Sequence, residues 1–407
     1  MKTAGIIAEY NPFHNGHKYH IEKTKELTGC DYVVVIMSGD YTQRGTPAIY
    51  SKYTRAKAAL LAGADLVLEM PVFGSVASAP DFAECGVHGL FATGLCDYLV
   101  FGSEAGSLDE LQAQAFSLEN ETKEISEQIR LGLKNGLSWP AARARAYEHA
   151  SQDELPSPVA SLPNDILGIE YLRTIRKLDA SIVPVTIKRT DPGYHSETQS
   201  GKFASATAAR KAILENNLDF LTETMPVAFF QALEQEPCPP VTFHDCSLLL
   251  GEKLLCTTQN DLTKISGMPT DLANKLYKHR LDFEFADALI AARKDKNFTY
   301  TRINRCLLNL ILGITKNETS QFKQLSSVPW LRILGFRKDA GPLLSELKKK
   351  ANVPVITKIA AAESVLSEPA SALFTKHLQS AEIYRLLMQM KSGKKAKNEF
   401  QRSVILV

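Results

Sequence analysis

Gly5-Ile6-Ile7-Ala8-Glu9-Tyr10-Asn11-Pro12-Phe13-His14-Asn15-Gly16-His17 is the stretch on which the reading of the chain turns. It begins as an apolar run of strand length over Thr3–Ala8, breaks on Asn and Pro, and passes directly into a helical pattern over His17–Thr28. In an open parallel sheet, ligands bind at the carboxyl ends of the strands. Helix N-termini there offer unpaired N–H groups and partial positive charge to phosphate. Gly16 lets the backbone approach a ligand with no Cβ in the way. His14 and His17 can donate hydrogen bonds to phosphoryl oxygens as charge develops. Two histidines so close are more often surface turn residues, and a motif is only as good as its context. Here the strand before and the helix after supply that context. Attack on an α-phosphate needs positioning and charge neutralisation more than covalent help.

Working outward, Tyr32–Met37, Leu66–Leu68, Tyr98–Phe101 and Ile182–Ile187 repeat the strand pattern. Helical patterns fill Lys52–Ala62, Phe82–Ala92 and Ile166–Leu178, and another begins near Ser205. This alternation predicts an α/β fold, a Rossmann-like parallel sheet with helices on both faces. Pro156, Pro158 and Pro163 punctuate one loop, and Lys188–Gly201 reads as another. Beyond about residue 225 the strand signal fades. Amphipathic stretches at Cys246–Cys256, Leu272–Leu281, Phe285–Arg293, Thr301–Leu312 and Ala381–Met390 predict a mainly helical half. The chain is thus expected to divide into an ATP-binding catalytic domain, 1–225, and a mainly helical basic domain, 226–407.

Several segments should meet His14 and His17 at the carboxyl edge of the sheet. Ser38-Gly39-Asp40 and Gln43-Arg44-Gly45 follow the second strand. Gly102 ends a later strand, where close backbone approach could admit adenine or ribose. Lys188-Arg189 follows the strand at 182–187 and could meet a triphosphate. Ser205, Thr207 and Arg210 set two hydroxyls and a cation at a helix start, an arrangement that suits β- and γ-phosphates. The plainer reading of Ser205 is an ordinary helix cap. A glycine-rich P-loop is absent, so an ATP site must be of another kind.

Composition sets the limits. The chain has 407 residues, 44% hydrophobic and 23% charged, which suits two or three globular domains. No run of about 18 apolar residues suggests a membrane span, and the N-terminus does not read as a signal peptide. Seven cysteines without a C-x-x-C pair suit neither a disulfide framework nor a zinc site. A reducing cytoplasmic setting and no protein metal site are therefore expected. Residues 241–407 carry 26 Lys and Arg against 15 Asp and Glu, a net of +11. Residues 1–240 carry 21 against 30, a net of −9. Such asymmetry points either to a polyanion partner or to an uneven solvated surface. Arg293, Lys294, Lys296, Arg302 and Arg305 surround Phe298 and Tyr300, and Arg337 and Lys338 follow. Cations suit phosphates and exposed aromatics stack on unpaired bases, so these seven cations are candidate RNA contacts.

These residues resemble a known family. The opening stretch, with Met37-Ser38-Gly39, Gln43–Ala48, Asp65–Pro71, Phe101–Glu104, Pro163–Tyr171 and Ala204–Arg210, is similar to the bacterial tRNA(Met) cytidine acetate ligases of the H-x-G-H nucleotidyltransferase superfamily. Tyr300–Ile303 and Leu331–Phe336 continue the likeness, which spans nearly the whole chain. Ala209 stands where a larger aliphatic residue is usual. The resemblance implies that ATP and acetate form acetyl-adenylate with release of pyrophosphate. The N4 amine of the wobble cytidine in elongator tRNA(Met) then takes the acetyl group, giving N4-acetylcytidine and AMP. It implies an ATP site over Ile7, Ala8, Glu9, Tyr10, Asn11, Pro12, Phe13, His14, Asn15, Gly16, His17, Lys18, Tyr19 and His20, with Gly102, Asn164 and Arg189. Ser205, Thr207 and Arg210 match the second phosphate motif of the superfamily. His14 and His17 would be catalytic, Mg2+ would accompany ATP, and tRNA and acetate would be the partners, with no membrane and no obligate protein partner.

Two other readings share features of this sequence. A small-molecule adenylyltransferase would use the same His14/His17 site but gives no reason for a basic helical half. An RNA-binding protein that has kept a nucleotide fold without turnover would not need both histidines and the later Ser/Thr/Arg motif intact.

Overall fold

The computed structural model describes residues 1–119, 123–134, 142, 145–146, 162–189, 203–293 and 299–407. The loop expected around Pro156 and Pro158 lies outside them, as does most of the one over Lys188–Gly201. Five strands, β1 (Thr3–Ala8), β2 (Tyr32–Ser38), β3 (Leu66–Met70), β4 (Tyr98–Ser103) and β5 (Val183–Lys188), form a parallel sheet in the order β5-β4-β1-β2-β3. The chain runs from β1 outward to β3, then returns to the other side of β1 for β4. That reversal makes the carboxyl ends of β1 and β4 the switch point of the sheet, where ligands of such sheets bind.

Strands β1 to β4 are largely buried on both faces, as expected for a parallel sheet covered by helices, while the edge strand β5 is half-exposed. Val33, Val34, Val35 and Ile36 of β2 are all buried. The covering helices include α1 (Asn15–Thr28), α2 (Lys52–Leu61), α3 (Ala79–Ala92), α4 (Pro163–Lys177) and α5 (Ala206–Leu214). Their bounds fall within three residues of the expected ones. The α/β class is the one read from the sequence.

The second half is mainly helical, including α6 (Val227–Gln235), α7 (Tyr300–Leu312) and the long α8 (Glu368–Ser392). It also returns to the sheet. β6 (Leu331–Phe336) pairs antiparallel with β3, and the short β7 (Val355–Ile356) and β8 (Ile405–Leu406) pair parallel with β6. One sheet of eight strands therefore draws on both halves of the sequence. Among the described residues no helix is long and apolar enough to cross a membrane.

A buried ionic cluster fastens this junction. Lys52, at the start of α2, is fully buried, with its Nζ 2.9 Å from Glu69, 3.1 Å from Glu399 and 3.3 Å from Asp40. Arg332 of β6 lies 2.8 Å from Glu69 and 2.5 Å from Glu399, and His377 of α8 is 3.4 Å from Glu69. Tyr53 adds a 3.0 Å hydrogen bond to Glu399. Burial works to raise the carboxyl pKa values, but Arg332 and Lys52 outweigh it at Glu69, which lies well below its usual range. Lys52 and Arg332 likewise hold Glu399 down at about 2. At Asp40 burial prevails and the pKa is raised. A buried charge is tolerable only when paired in this way.

Candidate active site

The catalytic geometry begins where β1 ends. His14 is the N-cap of α1, in extended conformation, and its Nδ1 accepts the Gly16 N–H at 3.1 Å. Nδ1 of His17 in turn accepts the His14 N–H at 3.2 Å. The pair forms a capping box in which imidazoles replace the usual hydroxyl and carboxylate. The two rings stack with centroids 3.8 Å apart. A ring nitrogen that accepts a backbone N–H carries no proton, so each neutral imidazole keeps its proton on Nε2. Both histidines thus have an Nε2–H to offer a ligand. Gly16 has a reason beyond ligand access: a Cβ there would sit 3.0 Å from the His14 ring.

The surroundings keep these rings neutral. Burial lowers the His14 pKa to about 3, assisted by the positive charges of Arg189 and Arg210. Burial and the neighbouring His14 put His17 well below its usual value, and His20 falls to about 4 through burial and Arg189. Bases depressed on folding add stability that is complete above the unfolded pKa of 6.5 and is lost as pH falls toward their folded values. Glu9 and Asp40, raised by burial, act in the opposite sense. We expect the unfolding free energy, measured by urea denaturation, to decrease from pH 7.5 to pH 5.5. Replacing His20 with Asn should shrink that fall by up to about 1.4 kcal/mol per pH unit below 6.5. An unchanged pH profile in that variant would show that His20 is not held neutral.

Arg189 and Arg210 reach the histidines from two sides. The Arg189 N–H bonds to the Ser103 carbonyl at 2.8 Å, and its side chain packs over Gly102. Arg210 donates to the Asn11 carbonyl at 2.7 Å and to the Thr207 hydroxyl at 3.1 Å, tying α5 to the loop after β1. Ser205 caps α5 by accepting the Ala208 N–H, the plainer role foreseen for it. Asn11 is buried and accepts the Ile49 N–H, and Asn15 donates to the Glu223 carbonyl. Tyr10 and Phe13 are buried, and the Tyr10 ring lies edge-on to His17 at 4.8 Å. Ile7 packs under α3 at Gly86, Tyr19 lies against Phe203, and exposed Lys18 pairs with Glu22.

Residues not singled out from the sequence hold this edge in shape. The buried guanidinium of Arg55 donates to the carbonyls of Glu9, Ser38, Gly39 and Tyr50, gathering the ends of β1 and β2. Nothing local in an alanine-rich helix marks a charged residue as its buried staple. The Gln43 N–H donates to the Glu9 carboxylate at 2.6 Å. Glu104 accepts from the Asn164 side chain at 2.6 Å and from the Asp165 N–H at 3.1 Å.

The basic residues separate into groups. Arg302 is exposed on the first turn of α7. Arg305, one turn on, is half-buried and donates to the Gln43 carbonyl at 3.2 Å, bracing the loop after β2. Gly45 of that loop has φ 76°, and a Cβ would run into the Asn304–Arg305 backbone. Arg337 pairs with Asp339 at 2.9 Å and sits beside Asp65, where β3 begins. Arg337 and exposed Lys338 therefore lie at the opposite edge of the sheet from the histidines. Lys294, Lys296 and the side chain of Arg293 lie outside the described residues.

A family model described as HIGH Nucleotidyl Transferase matches residues 1–399. A tRNA(Met) cytidine acetate ligase of Acetivibrio thermocellus is 34% identical over the whole of both chains. Another, of Caldanaerobacter subterraneus subsp. tengcongensis, is 38% identical over 95% of each. The chain belongs to the tRNA(Met) cytidine acetate ligase family of HIGH nucleotidyl transferases. Two crystal structures of Thermotoga maritima TmcAL, each 29% identical over the full length of both chains, superpose with TM-scores of 0.93 (apo) and 0.90 (bound with alpha-thio ATP). The family sense of the H-x-G-H signature is visible here, with its histidines and glycine locked together at the head of α1.

Proposed function

We propose that this enzyme is an ATP-dependent ligase that activates acetate and acetylates N4 of the wobble cytidine in elongator tRNA(Met). Acetate oxygen attacks the α-phosphorus of ATP and pyrophosphate leaves. The cytidine amine then attacks the acyl carbon of acetyl-adenylate, AMP leaves, and the amine gives up a proton. The observation that carries the first step is the stacked, neutral His14/His17 pair beside Arg189 and Arg210. Two Nε2–H donors suit charge that develops on phosphoryl oxygens.

In this reading ATP occupies the crevice lined by Ile7 to His20, Gly102, Asn164 and Arg189, with Ser205, Thr207 and Arg210 toward its β- and γ-phosphates. Among the described residues no group of three His, Cys, Asp or Glu side chains could hold a metal ion. Mg2+ accompanying ATP would need only one or two protein ligands beside the phosphates, where it would offset their charge. The adenylate must be kept from water until tRNA docks, and an anticodon loop yields its base more readily than a duplex. The basic half, 226–407, supplies the tRNA surface, with exposed Arg302 as one of its contacts, in the cytoplasm where tRNA is found.

Incubation with ATP, acetate and labelled pyrophosphate should give acetate-dependent exchange without RNA. With labelled acetate and total tRNA, label should appear in N4-acetylcytidine. Absence of exchange with acetate and with other carboxylates would remove the ligase reading. Replacing Arg302 with Ala should weaken tRNA binding and reduce its salt slope by about one while leaving exchange intact. Unchanged affinity would move the RNA surface elsewhere.

A further inference from the structure

Ser103, Glu104, Asn164 and Asp165 form a closed reciprocal knot where β4 leaves the sheet. Asp165 is buried, and its carboxylate accepts from the Ser103 hydroxyl at 2.5 Å and from the Glu104 N–H at 2.9 Å. Glu104 returns the bond across the same gap, taking the Asp165 N–H at 3.1 Å on Oε2 and the Asn164 Nδ2 at 2.6 Å on Oε1. The turn is closed by the Gly106 N–H on the Ser103 hydroxyl at 2.8 Å. These residues adjoin Gly102 and the Ser103 carbonyl that receives the Arg189 N–H, on the β4 side of the crevice.

A carboxylate only accepts hydrogen bonds, whereas an asparagine amide has one accepting and one donating end. With Glu104 in contact, the donating end of Asn164 must face it. The accepting end, Oδ1, then has no protein partner among the described residues. We infer that Glu104 is a positioning residue: it fixes the Asn164 amide so that Oδ1 accepts a hydrogen bond from the adenosine part of the nucleotide. This rests on the reading of the β1/β4 crevice as the ATP site. Two donors on adenosine meet the chemistry, a ribose hydroxyl and the adenine 6-amine. The phosphates, which only accept, are excluded as partners of Oδ1. A site that hydrogen-bonds a ligand donor rejects the analogue lacking it, because its own polar group is left unpaired.

The test is equilibrium binding to the full-length protein, without acetate or tRNA, of ATP, 2′-deoxy-ATP, 3′-deoxy-ATP and purine riboside triphosphate. Wild type should bind ATP and bind one analogue about tenfold or more weakly; the deoxy and the des-amino compounds tell the ribose from the base. In Asn164→Ala that preference should vanish. In Glu104→Gln, which can present either amide end to Asn164, it should shrink to about threefold or less, while Asn164→Asp should not restore it. Thermal melting of each variant separates folding from recognition. If Glu104→Gln lowers the melting temperature but keeps the wild-type preference, Glu104 merely holds the turn and the inference falls. No preference among the nucleotides in wild type also overturns it. If wild type binds none of them, the ATP-site reading falls with it. Discrimination without acetate-dependent exchange would support the Asn164 assignment and count against the ligase chemistry alone.

Discussion

Replacing His17 with Ala is expected to cut acetate-dependent pyrophosphate exchange by about 10²–10³-fold, the usual cost of one donor to transition-state charge. The Michaelis constant for ATP should change much less, because the missing bond strengthens as charge develops. The ring has a second job, however. Its Nδ1 accepts the His14 N–H, and it supports the stacked His14 ring and the edge of Tyr10. His17→Asn separates the two roles, since an amide oxygen can cap the helix but the side chain lacks the imidazole's reach. Both variants should lose exchange, and the Ala variant should also melt lower. If His17→Asn retained wild-type exchange, the Nε2–H would have no catalytic part and α1 would be only a well-capped helix.

The second large effect is expected in folding. Lys52→Met removes the cation that Asp40, Glu69 and Glu399 share in a fully buried setting. Glu69 and Glu399 keep Arg332, but the cluster is left with an excess of buried negative charge. Removing one partner of a buried ionic group costs about 3–5 kcal/mol, a large share of the stability of a typical domain. Chemical denaturation should show the loss directly. Glu399→Gln in the Lys52→Met background should cost less than the same change in the wild type, because it lowers the excess of buried negative charge. Strict additivity of the two changes would mean that the cluster does not act as a unit.

The five parallel strands could be read in advance because each is a short, mainly apolar run ended by turn residues, and because helical spacing separates them. β6 was hidden by its setting. It lies among helices, it carries Arg332 and Gly335 inside its apolar run, and its partner β3 is more than 260 residues earlier. Only tertiary contact makes it a strand. The histidine site was legible for a local reason, since His14, Gly16 and His17 interact within one helical turn. Its reinforcement was not. Lys52 and Arg55 look like the solvated face of α2 but are buried, and their partners are backbone carbonyls or carboxylates far along the chain. Charge patterning found the basic half. It could not separate Arg302 from Arg305, three residues apart on one helix, of which one is exposed and the other braces a loop.

The shared sheet has a consequence for the order in which the protein is made. A nascent chain emerges N-terminus first, so the histidines and α2 leave the ribosome long before β6. Until Arg332 and Glu399 arrive, Glu69 lacks its guanidinium and Lys52 lacks one of its three carboxylates. The loop after β2 has no α7 to rest on. The edge of the sheet beside the histidines therefore gains its full set of supports only after the second half of the chain has been synthesised.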